Sequence, residues 1–112
     1  MKNIIVITGG AGFVGSNLIS LLIKKTKFKI ISIDNYSTGS KKNHIRNARV
    51  RYIKGDTSQI SKILKNFKNE IKSIFHFGEF SRIYQSFLKM DECLNSNSIG
   101  SHAVFNFCLT NR

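Results

Sequence analysis

The 112-residue sequence contains no proline, no tryptophan, only two cysteines and only six acidic residues. Each shortage excludes something. Without proline, no helix or strand carries a built-in kink or an obligatory break. Cys93 and Cys108 lie fifteen residues apart, with no C-x-x-C and no histidine at metal-ligand spacing, so neither a metal site nor a disulfide framework is indicated and both are expected to be buried free thiols. The longest apolar stretches are Ile4 to Ile7 and Leu18 to Ile23, the latter interrupted by Ser20. Both fall far short of the roughly 20 residues that cross a bilayer, so no membrane partner is expected. The N-terminus runs straight into a strand-like segment without a small-residue cleavage site, which excludes a signal peptide and implies a cytoplasmic location.

The scarcity of acids against 18 lysines and arginines leaves a net charge of +12. Such an excess often accompanies nucleic acid or anionic membranes. Here the cations are spread along the chain and lysine outnumbers arginine 13 to 5, which reads as a solvated basic surface rather than a nucleic-acid footprint. The densest group, Lys41, Lys42, His44, Arg46, Arg49, Arg51 and Lys54, could still attract the phosphates of a ligand or of RNA. With 41% hydrophobic and 11% aromatic residues the chain has material for one packed core, and its length allows one domain, residues 1–112.

Ile4 to Ile7 is a continuous β-branched run, suited to a parallel strand buried on both faces. After Thr8-Gly9-Gly10, the residues Phe13, Val14, Leu18, Ile19, Leu21, Leu22 and Ile23 form a mostly apolar helix that ends in Lys24, Lys25 and Lys27. Lys29 to Ile33 reads as a second strand, residues 35–47 as a polar loop, and Val50 to Lys54 as a third strand. Ile60, Ile63, Leu64 and Phe67 have the spacing of an amphipathic helix capped by Ser58. Ile71 to Phe77 is the fourth strand, and Asp91 to Thr110 a long helix with Gly100 as a close-packing point. Alternation of strands and helices predicts an α/β fold with a parallel, doubly wound sheet.

The stretch Thr8-Gly9-Gly10-Ala11-Gly12-Phe13-Val14-Gly15 carries the most chemistry. A strand feeding a glycine turn and then a helix aims backbone N–H groups and the helix dipole at one spot, where a pyrophosphate can sit. Gly9 or Gly10 permits the tight turn, Gly12 lets the backbone approach phosphate, and Gly15 lets the helix pack closely on the strand. Asp34 follows nineteen residues after Gly15, at the end of the second strand, where a carboxylate accepts hydrogen bonds from a ribose diol. That carboxylate favours NAD over NADP, because it would repel a 2′-phosphate.

The segment from Thr8 to Leu18 resembles the opening of the extended short-chain dehydrogenase/reductases, and more narrowly of the NAD-dependent sugar-nucleotide epimerase/dehydratase family. Asp34-Asn35-Tyr36-Ser37-Thr38-Gly39, Gly55-Asp56, His76-Phe77-Gly78 and Asn97-Ser98-Ile99-Gly100-Ser101 match in order. The resemblance implies a Rossmann-like partial sheet of about four strands in the order 3-2-1-4, with helices on both faces. It implies that the backbone of Gly9, Gly12, Phe13 and Val14 holds the pyrophosphate, with Gly15 in the same cofactor-binding turn, and that Asp34 and Asn35 hold the adenosine ribose. Ser37, Thr38 and Gly39 would line the same side, Asp56 and Thr57 would meet the adenine, and Phe77, Gly78 and Glu79 would border the nicotinamide ribose. Asn97 would complete the cofactor set. Asp56 reads equally as a cap for the next helix, and His76 as a strand-end histidine bonded to backbone. Two departures stand out: Gly78-Glu79 replaces the family's paired small residues, and Met90 stands where a proline commonly follows Ile83-Tyr84-Gln85-Ser86.

Family chemistry uses a Tyr-x-x-x-Lys pair and an upstream Ser or Thr. The residues four places after Tyr36, Tyr52 and Tyr84 are Ser40, Asp56 and Leu88, so no catalytic residue is assigned within the chain. The resemblance therefore implies that residues 1–112 are the N-terminal NAD-binding part of a longer enzyme acting on a nucleotide-sugar, with the exposed edge of the fourth strand and a homodimer through the last helix as further expectations. The alternatives are a non-catalytic dinucleotide-binding regulatory module and a nucleic-acid binder driven by charge.

Overall fold

The computed structural model describes residues 2–37, 39–77 and 101–111. Strand β1 (Ile4–Thr8) is buried along its whole length, as its unbroken apolar run requires. Helix α1 (Phe13–Lys25) returns along the sheet to β2 (Lys29–Asp34). A 3-10 turn (Lys41–Asn43) interrupts the loop before β3 (Val50–Lys54). A second 3-10 turn (Thr57–Gln59) leads into the short helix α2 (Ile60–Ile63), followed by β4 (Ile71–His76) and, after residues 78–100, helix α3 (Ser101–Thr110). All strand pairs are parallel, in the order β3-β2-β1-β4.

Strand alternation places side chains from β1 and β2 on two separate faces. On one face Ile5, Ile7 and Ile30 pack with Ile19 of α1. On the other, Ile4, Val6, Ile31 and Ile33 pack with Ile60 and Leu64 and with Val104 and Phe107 of α3. The layers are thus α1 on one side and α2 with α3 on the other, the doubly wound arrangement expected from the sequence. This is a Rossmann-like sheet with its first four strands in the anticipated order.

Several expectations change in detail. The helix anticipated from Ile60 to Phe67 is α-helical only over Ile60–Ile63 and continues as tight turns, with Phe67 N–H bonded to the Leu64 carbonyl and Glu70 N–H to that of Phe67. Turns of about three residues keep Ile60, Ile63, Leu64 and Phe67 on one side, so the apolar stripe still faces the core. Asn66 and Asn69 favour turns over helix, and the chain must be extended by Ile71, because the Glu70 carbonyl already accepts from Asn3 and Ile4 N–H. Ser58 is not a cap: Asp56 Oδ1 accepts the Ser58 N–H at 3.0 Å and so caps the 3-10 turn Thr57–Gln59, while α2 itself starts after Gln59 with no side-chain cap. Cys108 is a free thiol and exposed, not buried, because α3 turns Val104 and Phe107 inward and leaves Cys108 outward. Cys93, the anticipated helix before Ser101 and the segment Ile83 to Ser86 lie outside the described residues.

Candidate dinucleotide-binding site

Every described candidate residue lies in the glycine turn or next to the carboxyl end of a strand, the edge at which open parallel sheets bind ligands. At the end of β1, Gly9 adopts φ 76°, a left-handed conformation that a side chain disfavours, and its N–H bonds the Ile33 carbonyl. The turn closes with Gly12 N–H on the Gly9 carbonyl at 3.1 Å, and Gly12 is the N-cap of α1. With no side chain at Gly12, the first turn of α1 receives no side-chain cap, so the helix N-terminus keeps its donors and its partial positive charge available. A Cβ on Gly15 would collide with the Gly9 carbonyl and lie 2.8 Å from Gly10 Cα, which is why the helix can sit this close only with glycine there. Gly10 is as constrained, because a Cβ would collide with Ser32 of β2. Phe13 and Val14, the next two residues, are exposed.

Asp34 ends β2 directly beside this turn. Its Oδ2 accepts the Ala11 N–H at 3.1 Å and its Oδ1 accepts the Tyr36 N–H at 2.7 Å. Tyr36 holds a left-handed φ of 62°, unusual for a bulky residue, and three contacts fix it there. These are its N–H on Asp34, its hydroxyl 2.6 Å from His44 Nε2, and its ring tilted against the same imidazole. His44 stacks on Tyr52 of β3 with centroids 3.7 Å apart. Burial pushes the Tyr36 phenol above its ordinary value of 10.0, with Coulombic repulsion from neighbouring Asp34 and Tyr52 adding to the rise. It stays a neutral hydrogen-bond donor near neutral pH, the reverse of what a phenolate base needs.

The loop after Asp34 folds back over the turn. Asn35 Oδ1 accepts the Ser37 N–H, and Gly39 packs so tightly that a Cβ would lie 2.8 Å from Asp34 Oδ2 and 3.0 Å from the Ala11 carbonyl carbon. Gly55 N–H bonds the Asp34 carbonyl, bringing Asp56 and the largely buried Thr57 to the same edge. On the other side Phe77 N–H bonds the Thr8 carbonyl, and His76 Nδ1 pairs with the Thr8 hydroxyl at 2.5 Å, a side-chain partner not foreseen from the sequence. Thr38, Gly78, Glu79 and Asn97 lie outside the described residues. The structure therefore gathers Gly9, Gly12, Phe13, Val14, Gly15, Asp34 and Gly39 around Ala11 and sets Asn35, Ser37, Asp56, Thr57 and Phe77 on the same edge.

The basic group separates into different roles. The Arg49 guanidinium donates to the Ile23, Thr26 and Phe28 carbonyls, at 2.7, 2.8 and 3.2 Å, and so binds the C-terminus of α1. Arg51 sits over the Phe67 ring. Lys41, Lys42 and Arg46 remain on a shallow groove beside His44 and Tyr52. Among the described residues, no group of acids, histidines and cysteines is arranged to hold a metal ion.

A glycine turn between the first strand and an uncapped helix, with an acid at the end of the second strand, defines a Rossmann-like α/β protein of the nucleotide-binding class. The chain belongs to the NAD dependent epimerase/dehydratase family, whose sequence profile matches residues 5–112. It is 32% identical over 111 residues to dTDP-D-glucose 4,6-dehydratase of Dictyostelium discoideum, covering 93% of this chain and 25% of that protein. It is 30% identical over 103 residues to UDP-glucose 4-epimerase of Pasteurella multocida, covering 87% of this chain and 30% of the relative. Among solved structures, the Bordetella bronchiseptica enzyme WbmG in complex with NAD superposes with a TM-score of 0.83 at 25% identity, over 99% of this chain and 35% of that one. The chain thus spans about a quarter to a third of the length of these relatives.

Proposed function

We propose that residues 1–112 form the NAD-binding part of a nucleotide-sugar epimerase or dehydratase and do not turn over substrate by themselves. The observation that carries this reading is the join between the glycine turn and Asp34: the Ala11 N–H on Asp34 Oδ2 fixes a ribose-binding acid beside an uncapped helix N-terminus. The site fits a dinucleotide on its own terms. The turn presents no side chain at Gly9 or Gly12, and a Cβ on Gly12 would stand a tight 3.3 Å from the Gly9 oxygen, so glycine there leaves the backbone bare for the close approach of a phosphate.

In this reading Gly9 and Gly12 shape the turn so that its backbone can approach the pyrophosphate, the uncapped N–H groups of Phe13, Val14 and Gly15 at the start of α1 donate to it, and Asp34 with Asn35 holds the adenosine ribose. Two protein N–H groups occupy part of the Asp34 carboxylate, and the remaining lone pairs accept from the ribose hydroxyls. A 2′-phosphate would meet that charge, which favours NAD over NADP. Ser37, Thr38 and Gly39 line the ribose side, Asp56 and Thr57 the adenine, Phe77, Gly78 and Glu79 the nicotinamide ribose, and Asn97 completes the set. NAD, when bound, supplies a hydride acceptor. The sequence has no Tyr-x-x-x-Lys, so a proton-transfer partner would come from another part of a longer protein. Nucleotide-sugars as substrate class, a cytoplasmic location and a homodimer belong to the same reading. No described helix is long and apolar enough to cross a membrane.

Calorimetric titration with NAD and NADP tests the reading. Saturable binding that prefers NAD and is abolished by Asp34→Ala supports it. Equal affinity for both, or an unaltered affinity in the variant, contradicts the role given to Asp34.

A further inference from the structure

Ala11 is fully buried, and both ends of its peptide environment are engaged. Its N–H donates to Asp34, while its carbonyl accepts from Ser40 N–H at 3.0 Å and from the Asn43 side-chain amide at 2.8 Å. Because a carbonyl only accepts, the Asn43 nitrogen must face it. Asn43 itself is an exposed residue ending the Lys41–Asn43 turn, whose start is fixed by Ser40 Oγ accepting the Lys42 N–H. It is absent from both core clusters. Its bond spans 32 residues and links the loop between β2 and β3 to the glycine turn.

We propose that Asn43 is a positioning residue for NAD. By holding the Ala11 carbonyl it keeps the adjoining Ala11 N–H on Asp34 Oδ2, so that the pyrophosphate turn and the ribose acid are held in one geometry before the ligand arrives. The proposal rests on the NAD reading above. Gly39 supports the same coupling, because the loop that carries Asn43 lies directly against both the Asp34 carboxylate and Ala11. Binding groups fixed in advance bind more tightly, since less ordering remains to be done on association. Asn43→Asp keeps the shape and replaces the donor by a carboxylate that repels the Ala11 carbonyl, and Asn43→Ala removes the bond alone.

The test combines NAD titration with amide hydrogen exchange of the ligand-free chain. Asn43→Asp is expected to weaken NAD binding about tenfold and Asn43→Ala about threefold, the range of one hydrogen bond. In both, the Ala11 amide exchanges faster while the Ile30 amide, bonded to the Arg49 carbonyl at the opposite end of β2 from Asp34, is unchanged. Unchanged Ala11 exchange and unchanged affinity overturn the proposal. So does a uniform acceleration of all amides, which would mark Asn43 as merely stabilising. If the unsubstituted chain binds no NAD, the proposed function fails, and the Ala11 exchange still decides whether Asn43 couples the loop to the turn.

Discussion

At the scale of single residues, the glycines of the turn separate into two kinds, and substitution distinguishes them. A Cβ on Gly15 meets backbone that cannot yield, whereas one on Gly12 comes no closer than 3.3 Å to the Gly9 oxygen. Gly15→Ala is expected to lower stability by about 1–3 kcal/mol through overpacking and to remove NAD binding with it. Gly12→Ala, which sets a Cβ at a tight 3.3 Å from the Gly9 oxygen, is expected to lower the urea midpoint less than Gly15→Ala while weakening NAD binding at least tenfold. Urea titration beside calorimetry separates the two. Tyr36 gives a pH prediction. Its phenol titrates above 10.0 in the folded chain, so folding favours the protonated form. That contribution is complete below pH 10 and is lost as pH rises through the folded value. Stability measured between pH 8 and pH 11 should therefore fall more in the unsubstituted chain than in Tyr36→Phe. The motif residues were legible in the sequence because turn, helix start and acid recur at fixed spacing. Ala11, Ser40 and Asn43 were not, since their bonds depend on how a long polar loop folds back, and no local spacing encodes that.

Among the elements, strands proved more legible than the second helix. The β-branched runs at Ile4, Lys29, Val50 and Ile71 became strands within a residue or two of their anticipated ends. The apolar stripe from Ile60 to Phe67 announced the buried face correctly but not its hydrogen bonding, because tight turns and an α-helix bury nearly the same residues over two turns. Arg49 shows the opposite limit. Read from the sequence it belonged to a basic cluster for phosphates, yet its guanidinium is committed to three carbonyls at the end of α1, where the helix dipole is negative. Arg49→Ala is expected to cost about 1.5–3 kcal/mol in urea unfolding, the worth of hydrogen bonds made by a charged group. Arg49→Lys should recover only part of this, because a single ammonium cannot reproduce the planar fork. Full recovery by lysine would show that charge alone matters there.

For the whole molecule, two sheet faces covered by helices and one carboxyl edge carrying the candidate residues account for both stability and site. The charge of +12 is the feature a sequence reading weighs least securely, since a basic surface and a nucleic-acid footprint look alike in composition. The structure assigns Arg49 to a helix end and Arg51 to an aromatic ring. The central claim is that the glycine turn and Asp34 form one NAD site, and the most direct measurement is NAD titration of the isotopically labelled chain, following its amide resonances. The largest saturable shifts are expected at Gly9, Gly12, Phe13, Val14 and Asp34, with little change at Lys41, Lys42 and Arg46, and the same pattern at higher salt. Shifts confined to the basic groove and dispersed by salt would contradict it.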